Sequence, residues 1–500
     1  MRAATRRVER VVGPFVVLAT LACSDSAGSL SAQTGPAAAS SAAETITAAD
    51  LRLRVGELAH DSMRGRNTPS PELEKAARHI GRHFESLGLL PGDAGSFLQS
   101  YPLALTGPGA AGRQTLRLDG PGGGALPATV WAAIPGGGDL SGEGDVLVTT
   151  LAADEDLSGR VALVHVPQDH LRDALGGLRA LLDRGADGVL FAVDAAEPYF
   201  EGLRGFFDRE RLSVGVPEEL PAPAALVRLE ALPSALASAL ARGAGDEAEE
   251  YRATLRTSAR IREAEGFNTI GWIEGSDPDL RDEYIVFTAH MDHVGVGRPV
   301  AGDSIYNGAD DDASGTATIM ELAEAFASLP TAPRRSVVFM TVSGEEKGLL
   351  GSRWYSDHPL FPLESTVANL NIDMIGRNWR DTVVAIGREE SSLGESLEAV
   401  VARHPELGLT MIDDPWPEEN FYLRSDHYNF ARKGVPVLFF FTGTHEDYHG
   451  PDDEPDRILY EKTSRIARLI FFLGLEIADA EGRPEWDPAA YSRVVEGDGG

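Results

Sequence analysis

The sequence predicts an α/β fold with a mainly parallel core sheet and a smaller α/β unit inserted into the chain. Three observations predict it. Four short apolar runs, residues 284–289, 336–342, 367–372 and 435–441, end in turn signals and alternate with helical stretches. A second group of strand-like runs, 144–148, 160–166 and 189–193, surrounds a helical segment at 178–183 and a Gly185-Ala186-Asp187-Gly188 turn. At 500 residues the chain also exceeds the roughly 250–300 residues at which a single hydrophobic core stops growing.

The bulk chemistry narrows the class. Apolar residues make up 43% and charged residues 24%, enough for a proper buried core. The formal net charge of -32 lacks the basic footprint that phosphate backbones and anionic membranes require. Nucleic acid is therefore not an expected partner, and the charge reads as a solvated surface.

The N-terminus reads as an export signal over residues 1–22. Arg2, Arg6, Arg7 and Arg10 precede an apolar run at 11–22 that is too short to span a bilayer. Arg6-Arg7 also hints at a twin-arginine signal. An exported protein is expected, whether periplasmic, extracellular or lipid-anchored, with no transmembrane segment in the mature chain. Leu21-Ala22-Cys23 partly resembles a bacterial lipoprotein cleavage site, which makes Cys23 a candidate lipid anchor. Thr20 stands where such sites usually carry leucine, and cleavage after Ala32 is the alternative. Cys23 is the only cysteine, so no intramolecular disulfide can form.

The remaining elements follow in order. Residues 23–45, rich in Ala and Ser, read as a flexible linker. The first part of the catalytic domain is expected over 46–125. Within it Ser70 caps a helix opened by Pro71, with Leu73, Ala77, Ile80, Phe84 and Leu87 on one face and Gly88 as the stop. Residues 104–128, rich in Gly, Ala and Pro, mark a boundary. The inserted unit is placed at 126–252, the second part of the catalytic domain at 253–482, and a mobile tail at 483–500.

The candidate chemistry lies just past the four apolar runs, where open parallel sheets bind ligands. His290-Met291-Asp292 follows the first run, and the 308–315 segment then leads into a helix. Glu345-Glu346 follows the second run, Asp373 ends the third and Tyr448-His449 follows the fourth. Each has a plain reading alone. A histidine at a strand end is an ordinary surface residue, and an Asp triplet is an ordinary helix cap. Together they form a donor set suited to zinc, which takes imidazole nitrogen and carboxylate oxygen. Two histidines and three carboxylates suffice for two ions if one carboxylate bridges, and paired metals can hold a nucleophile and the scissile carbonyl.

These segments resemble metallopeptidase family 28. The resemblance rests on His290-Met291-Asp292, residues 308–315, residues 343–352, Asn371-Ile372-Asp373-Met374-Ile375-Gly376 and Tyr448-His449. It covers about 46–105 and 265–475. It implies a three-layer zinc-exopeptidase fold binding two zinc ions per chain. His290 and Asp373 would bind one ion, Glu346 and His449 the other, with Asp311 bridging. Asp292 would orient a ligand, Glu345 would act as general base toward the bridging water, and Tyr448 would stabilise the oxyanion. A cis Asp311-Asp312 peptide is also implied. Asp312 stands where many members carry Asn. The 157–161 and 184–189 segments resemble the protease-associated domain, a unit inserted in several exopeptidases.

The activity this implies is removal of the N-terminal residue from peptide substrates by an aminopeptidase. A carboxypeptidase or dipeptidase using the same site is the alternative. A glutaminyl cyclase, which uses one zinc, fits less well, as does a binding protein, which would be expected to lose ligands. Ser425-Asp426-His427 resembles a segment near the family's pocket. Met374, Trp416, Phe421 and Tyr422 could line a side-chain pocket, but apolar residues at such positions are more often core. His293 and His445 lie near ligands in the sequence but match no ligand position.

Overall fold

The buried apolar runs form strands because both of their faces are covered. The computed structural model of the chain describes residues 35–109, 113–243 and 248–497. The export signal, Cys23 and the start of the 23–45 segment lie outside the described residues. The main sheet contains β1 (Leu98–Pro108), β2 (Arg252–Ile273), β3 (Tyr284–His290), β4 (Ser336–Val342), β5 (Thr366–Ile372), β6 (Thr382–Ile386) and β7 (Val437–Phe441). Their order across the sheet is β6-β7-β5-β3-β4-β2-β1. β4, β3, β5 and β7 run parallel, and β2 and β6 flank them antiparallel. Every residue of β4 and β5 is buried, as expected for a parallel strand covered on both faces.

Helices cover the sheet. α1 (Pro36–Thr45), α2 (Ala48–Leu58), α3 (Pro71–Ser86), α4 (Gly315–Ala327) and α5 (Tyr460–Asp479) pack their apolar faces on one core with β3 and β4. Ser70 caps α3 as its sequence predicts, its hydroxyl accepting the Leu73 N–H at 3.0 Å. A second core, on the other face, joins Val286, Val338 and Met340 to Tyr355, Phe430 and Val494.

The inserted unit has its own parallel sheet. Asp139–Thr149, Arg160–Pro167, Gly188–Asp194 and Ala224–Arg228 run side by side, with a separate apolar cluster on each face. β2 belongs to both sheets. Its first residues pair with Asp139–Thr149, and its last residues pair with β4.

Three boundaries differ from the sequence reading. Thr115–Asp119 pairs with the start of β2, so the inserted sheet begins before residue 126. Residues 36–45 are a helix rather than a linker, because Ala39, Ala42 and Ala43 bury against the α4 and α5 layer. Residues 483–497 are packed rather than mobile. Trp486 bridges to Ser391, its indole N–H donates to Gly434 O at 2.9 Å, and Val494 is buried. Among the described residues, no helix is long and apolar enough to cross a membrane.

Candidate metal centre

The strand ends bring the predicted residues to one rim. His290 is the last residue of β3, Asp373 directly follows β5, Glu345 and Glu346 form the turn after β4, and Tyr448 and His449 follow β7 in the chain. Asp311 precedes α4, and the Asp311-Asp312 peptide is cis.

Buried polar groups fix these segments. The Arg66 guanidinium, fully buried, donates to Leu58 O, Met291 O, Asn307 O and Gly308 O at 2.6–2.9 Å. It thereby ties the loop after β3 to the one before α4. Asp312 does the same for three segments. Its carboxylate accepts the N–H groups of His290 at 3.2 Å, Gly315 at 2.9 Å and Met374 at 3.1 Å. Asp292 accepts the Thr68 hydroxyl at 2.9 Å and the Glu345 N–H at 3.3 Å. It thus holds the Glu345 turn rather than hydrogen-bonding the His290 ring, whose Nδ1 lies 3.8 Å from its carboxylate and 3.1 Å from its main-chain oxygen.

Two groups of donors converge. His290 Nε2 lies 3.2 Å from Asp311 Oδ1 and 3.4 Å from Asp373 Oδ1. His449 Nε2 lies 3.1 Å from both Asp311 Oδ2 and Glu346 Oε2. Asp311 belongs to both groups. Two donors on one tetrahedral zinc, each about 2.0–2.1 Å from it, stand about 3.3 Å apart. The observed separations match that edge. Asp311 Oδ2, Glu346 Oε1 and Asp373 Oδ1 are also buried without a hydrogen-bond partner, a state that a cation would relieve. The donor set therefore fits two ions sharing Asp311.

The electrostatics fit the same picture. Burial opposes ionisation of Asp311, yet His293, His290 and His449 together hold it well below the ordinary carboxylate range. Burial likewise works against His449, but hydrogen bonds to Asp311 and Glu346 lift it to about 10. Glu345 belongs to neither donor group. Burial first, then the charges of Asp426, Asp373 and Glu346, push it well above the ordinary range.

A pocket opens beside these groups. His290, Asp311, Glu345 and Asp373 line it together with Tyr448. Met374, Phe421, Phe439 and Phe441 supply an apolar wall, and Arg424 also reaches it. Met374 and Phe421 are thus both pocket lining and part of an apolar cluster, which Trp416 and Tyr422 support from behind. Ser425 donates to Asp373 Oδ2 at 2.9 Å, while His427 is buried with its ring stacked on Phe439. His445 approaches Asp310 at 3.4 Å and joins neither donor group.

His293 is the residue that sequence reasoning set aside. It is fully buried, with Nδ1 2.8 Å from Glu346 Oε1 and 3.6 Å from Asp311 Oδ2. The available signal was its position three residues after His290, in the loop that leaves the end of β3.

The model of peptidase family M28 matches residues 268–473. Aminopeptidase YwaD of Bacillus subtilis is 26% identical over 250 residues, which cover 47% of this chain and 50% of that protein. Leucine aminopeptidase 1 of Penicillium rubens is 28% identical over 218 residues, 41% of this chain and 55% of that protein. The chain thus spans about half the length of these two curated relatives. An aminopeptidase from Aneurinibacillus sp. strain AM-1 has the same fold, with a TM-score of 0.50 at 21% identity over 90% of this chain and 98% of that one.

Proposed function

Since this chain belongs to peptidase family M28, we propose that it is a two-zinc aminopeptidase that hydrolyses the N-terminal residue from peptides. The observation that carries this reading is the pair of donor groups joined by Asp311, with Glu345 beside them and bound to neither. His290 and Asp373 would hold one ion, Glu346 and His449 the other, and Asp311 both. Zinc suits the mixed imidazole and carboxylate set. When bound, the two ions supply Lewis acidity, lowering the pKa of water and polarising the scissile carbonyl.

The residues of the chain do the rest. Glu345, which belongs to neither donor group, takes the proton of the attacking water and returns it to the leaving amine. Tyr448, whose hydroxyl burial keeps protonated, donates to the oxyanion of the tetrahedral intermediate. The Met374, Phe421, Phe439 and Phe441 wall receives an apolar side chain of the residue released. Asp292 holds the turn that carries Glu345 in register with the ligands. The balance is one peptide bond and one water consumed, one amino acid and a shortened peptide released.

One observation favours a second reading. Arg424 reaches the same pocket, and a guanidinium there suits a substrate carboxylate, as a dipeptidase or carboxypeptidase would need. Paired peptides separate the two. An aminopeptidase cleaves a C-amidated peptide with a free N-terminus and spares its N-acetylated form; cleavage of the N-acetylated form alone would overturn the main reading.

The arginine-led apolar segment at 1–22 supports export of the protein, with Cys23 as a candidate lipid anchor. The 157–161 and 184–189 segments support reading the inserted unit as protease-associated. The acidic chain and pocket support peptides, and not nucleic acid, as its partners.

A further inference from the structure

We propose that His293 is a third imidazole ligand of the metal centre, supplying a fourth protein donor to the ion held by Asp311, Glu346 and His449. The inference rests on the two-metal reading and goes beyond the five ligands that the family resemblance implies.

The geometry is that of donors facing a common point. His293, Asp311, Glu346 and His449 each offer one atom, and all four atoms lie within 4.8 Å of one another. His293 Nδ1 stands 2.8 Å from Glu346 Oε1 and 3.6 Å from Asp311 Oδ2, on either side of the about 3.3 Å edge of a tetrahedral zinc site. The His293 and His449 rings meet at 70° with centroids 5.6 Å apart, and each brings a ring nitrogen to the Glu346 carboxylate.

A hydrogen bond to Glu346 does not explain this contact. An imidazole serving only to orient Glu346 would aim its N–H along the line to the carboxylate oxygen. Here Nδ1 and Oε1 are close, yet both are buried without an aligned hydrogen bond. Asp311 Oδ2 is in the same state. These three adjacent buried polar atoms lack hydrogen-bond partners, and a cation between them would satisfy all three.

The ring is held there by backbone. The His293 N–H faces Arg66 O at 3.4 Å, and Arg66 itself is pinned by four carbonyls. Gly308 lies directly beneath the ring. A Cβ at that position would stand 2.5 Å from His293 Cγ, so glycine leaves the space the imidazole occupies. The consequence is an unequal pair of sites. One has four protein donors, the closed set of a tightly held ion, and the other has His290, Asp311 and Asp373 with room for an outside ligand.

The test counts imidazoles rather than turnover. X-ray absorption of the zinc-loaded full chain should show three imidazoles over two ions, about 1.5 per zinc. His293→Ala should bring this to two over two ions and weaken one zinc equivalent, in chelator competition, beyond the about 10–100-fold that loss of an outer partner brings. Two imidazoles over two ions in the wild-type chain would overturn the inference and leave the two-metal reading intact. An unchanged absorption spectrum and affinity in a folded His293→Ala variant would overturn it equally. If that variant does not fold, the wild-type count decides alone. Fewer than two ions in the wild-type chain would overturn the two-metal reading itself, and this inference with it.

Discussion

Asp453 grips Asp311 through the backbone. Its Oδ2 accepts the Asp311 N–H at 3.1 Å, and the same carboxylate accepts the Asp310 N–H at 3.0 and 3.1 Å. Asp453 is fully buried, so these two amides have no route to water. Asp453→Ala leaves both unsatisfied. Each orphaned amide costs about 1–3 kcal/mol, so urea denaturation should show a loss of about 2–6 kcal/mol. Zinc affinity should fall about 10–100-fold as the shared carboxylate loosens.

Glu345 stands apart from the ligands, and its replacement should separate binding from chemistry. Glu345→Gln keeps shape and removes the proposed base. Zinc content should stay at the wild-type level while kcat falls about 10²–10⁴-fold with KM little changed. An active Glu345→Gln enzyme would remove the residue from its proposed role.

The pocket wall predicts a preference among N-terminal residues. Each methylene buried against Met374, Phe421, Phe439 and Phe441 contributes about 1–3 kcal/mol of discrimination. Leucine and methionine substrates should therefore exceed glycine by at least about 100-fold in kcat/KM. Equal rates across such a series would show that the wall does not receive the side chain.

Away from the site, Glu321 gives the protein a pH-dependent weakness. Its carboxyl is buried on α4, paired with Arg54 of α2. Burial pushes it up from 4.5 to about 7, with Arg54 opposing. The folded chain therefore keeps this proton to a higher pH than the unfolded chain does. The stability contributed is present below about pH 4.5 and is lost as pH rises to about 7, a change of about 3 kcal/mol. Glu321→Gln should remove that slope, so the wild-type-minus-variant difference in urea stability should fall by about that amount between pH 4.5 and 7.5.

The sequence made the core strands and the polar residues at their ends legible for one reason. β4 and β5 are buried on both faces, so they appear as largely apolar runs, and the charged residues just past their ends mark the rim. β2 was illegible because most of it is half exposed. Its Arg252 to Glu265 stretch alternates charge with small residues, and nothing in it signals that one strand serves two sheets. α1 was hidden because Ala39, Ala42 and Ala43 offer too little contrast with their serine neighbours; packing against the helical layer decides their state. His293 was hidden for a different reason. Its place three residues after His290 hints at the site, but which way the ring turns over Gly308 is set by packing and not by spacing along the chain.

The most direct test of the two-zinc reading is the zinc content of the purified protein, measured alongside hydrolysis of leucine p-nitroanilide with and without chelator. That reading predicts about two zinc ions per chain, release of p-nitroaniline, its loss on chelation and its return with added zinc. A folded protein that holds no zinc, takes up none when it is supplied and releases no product would contradict it.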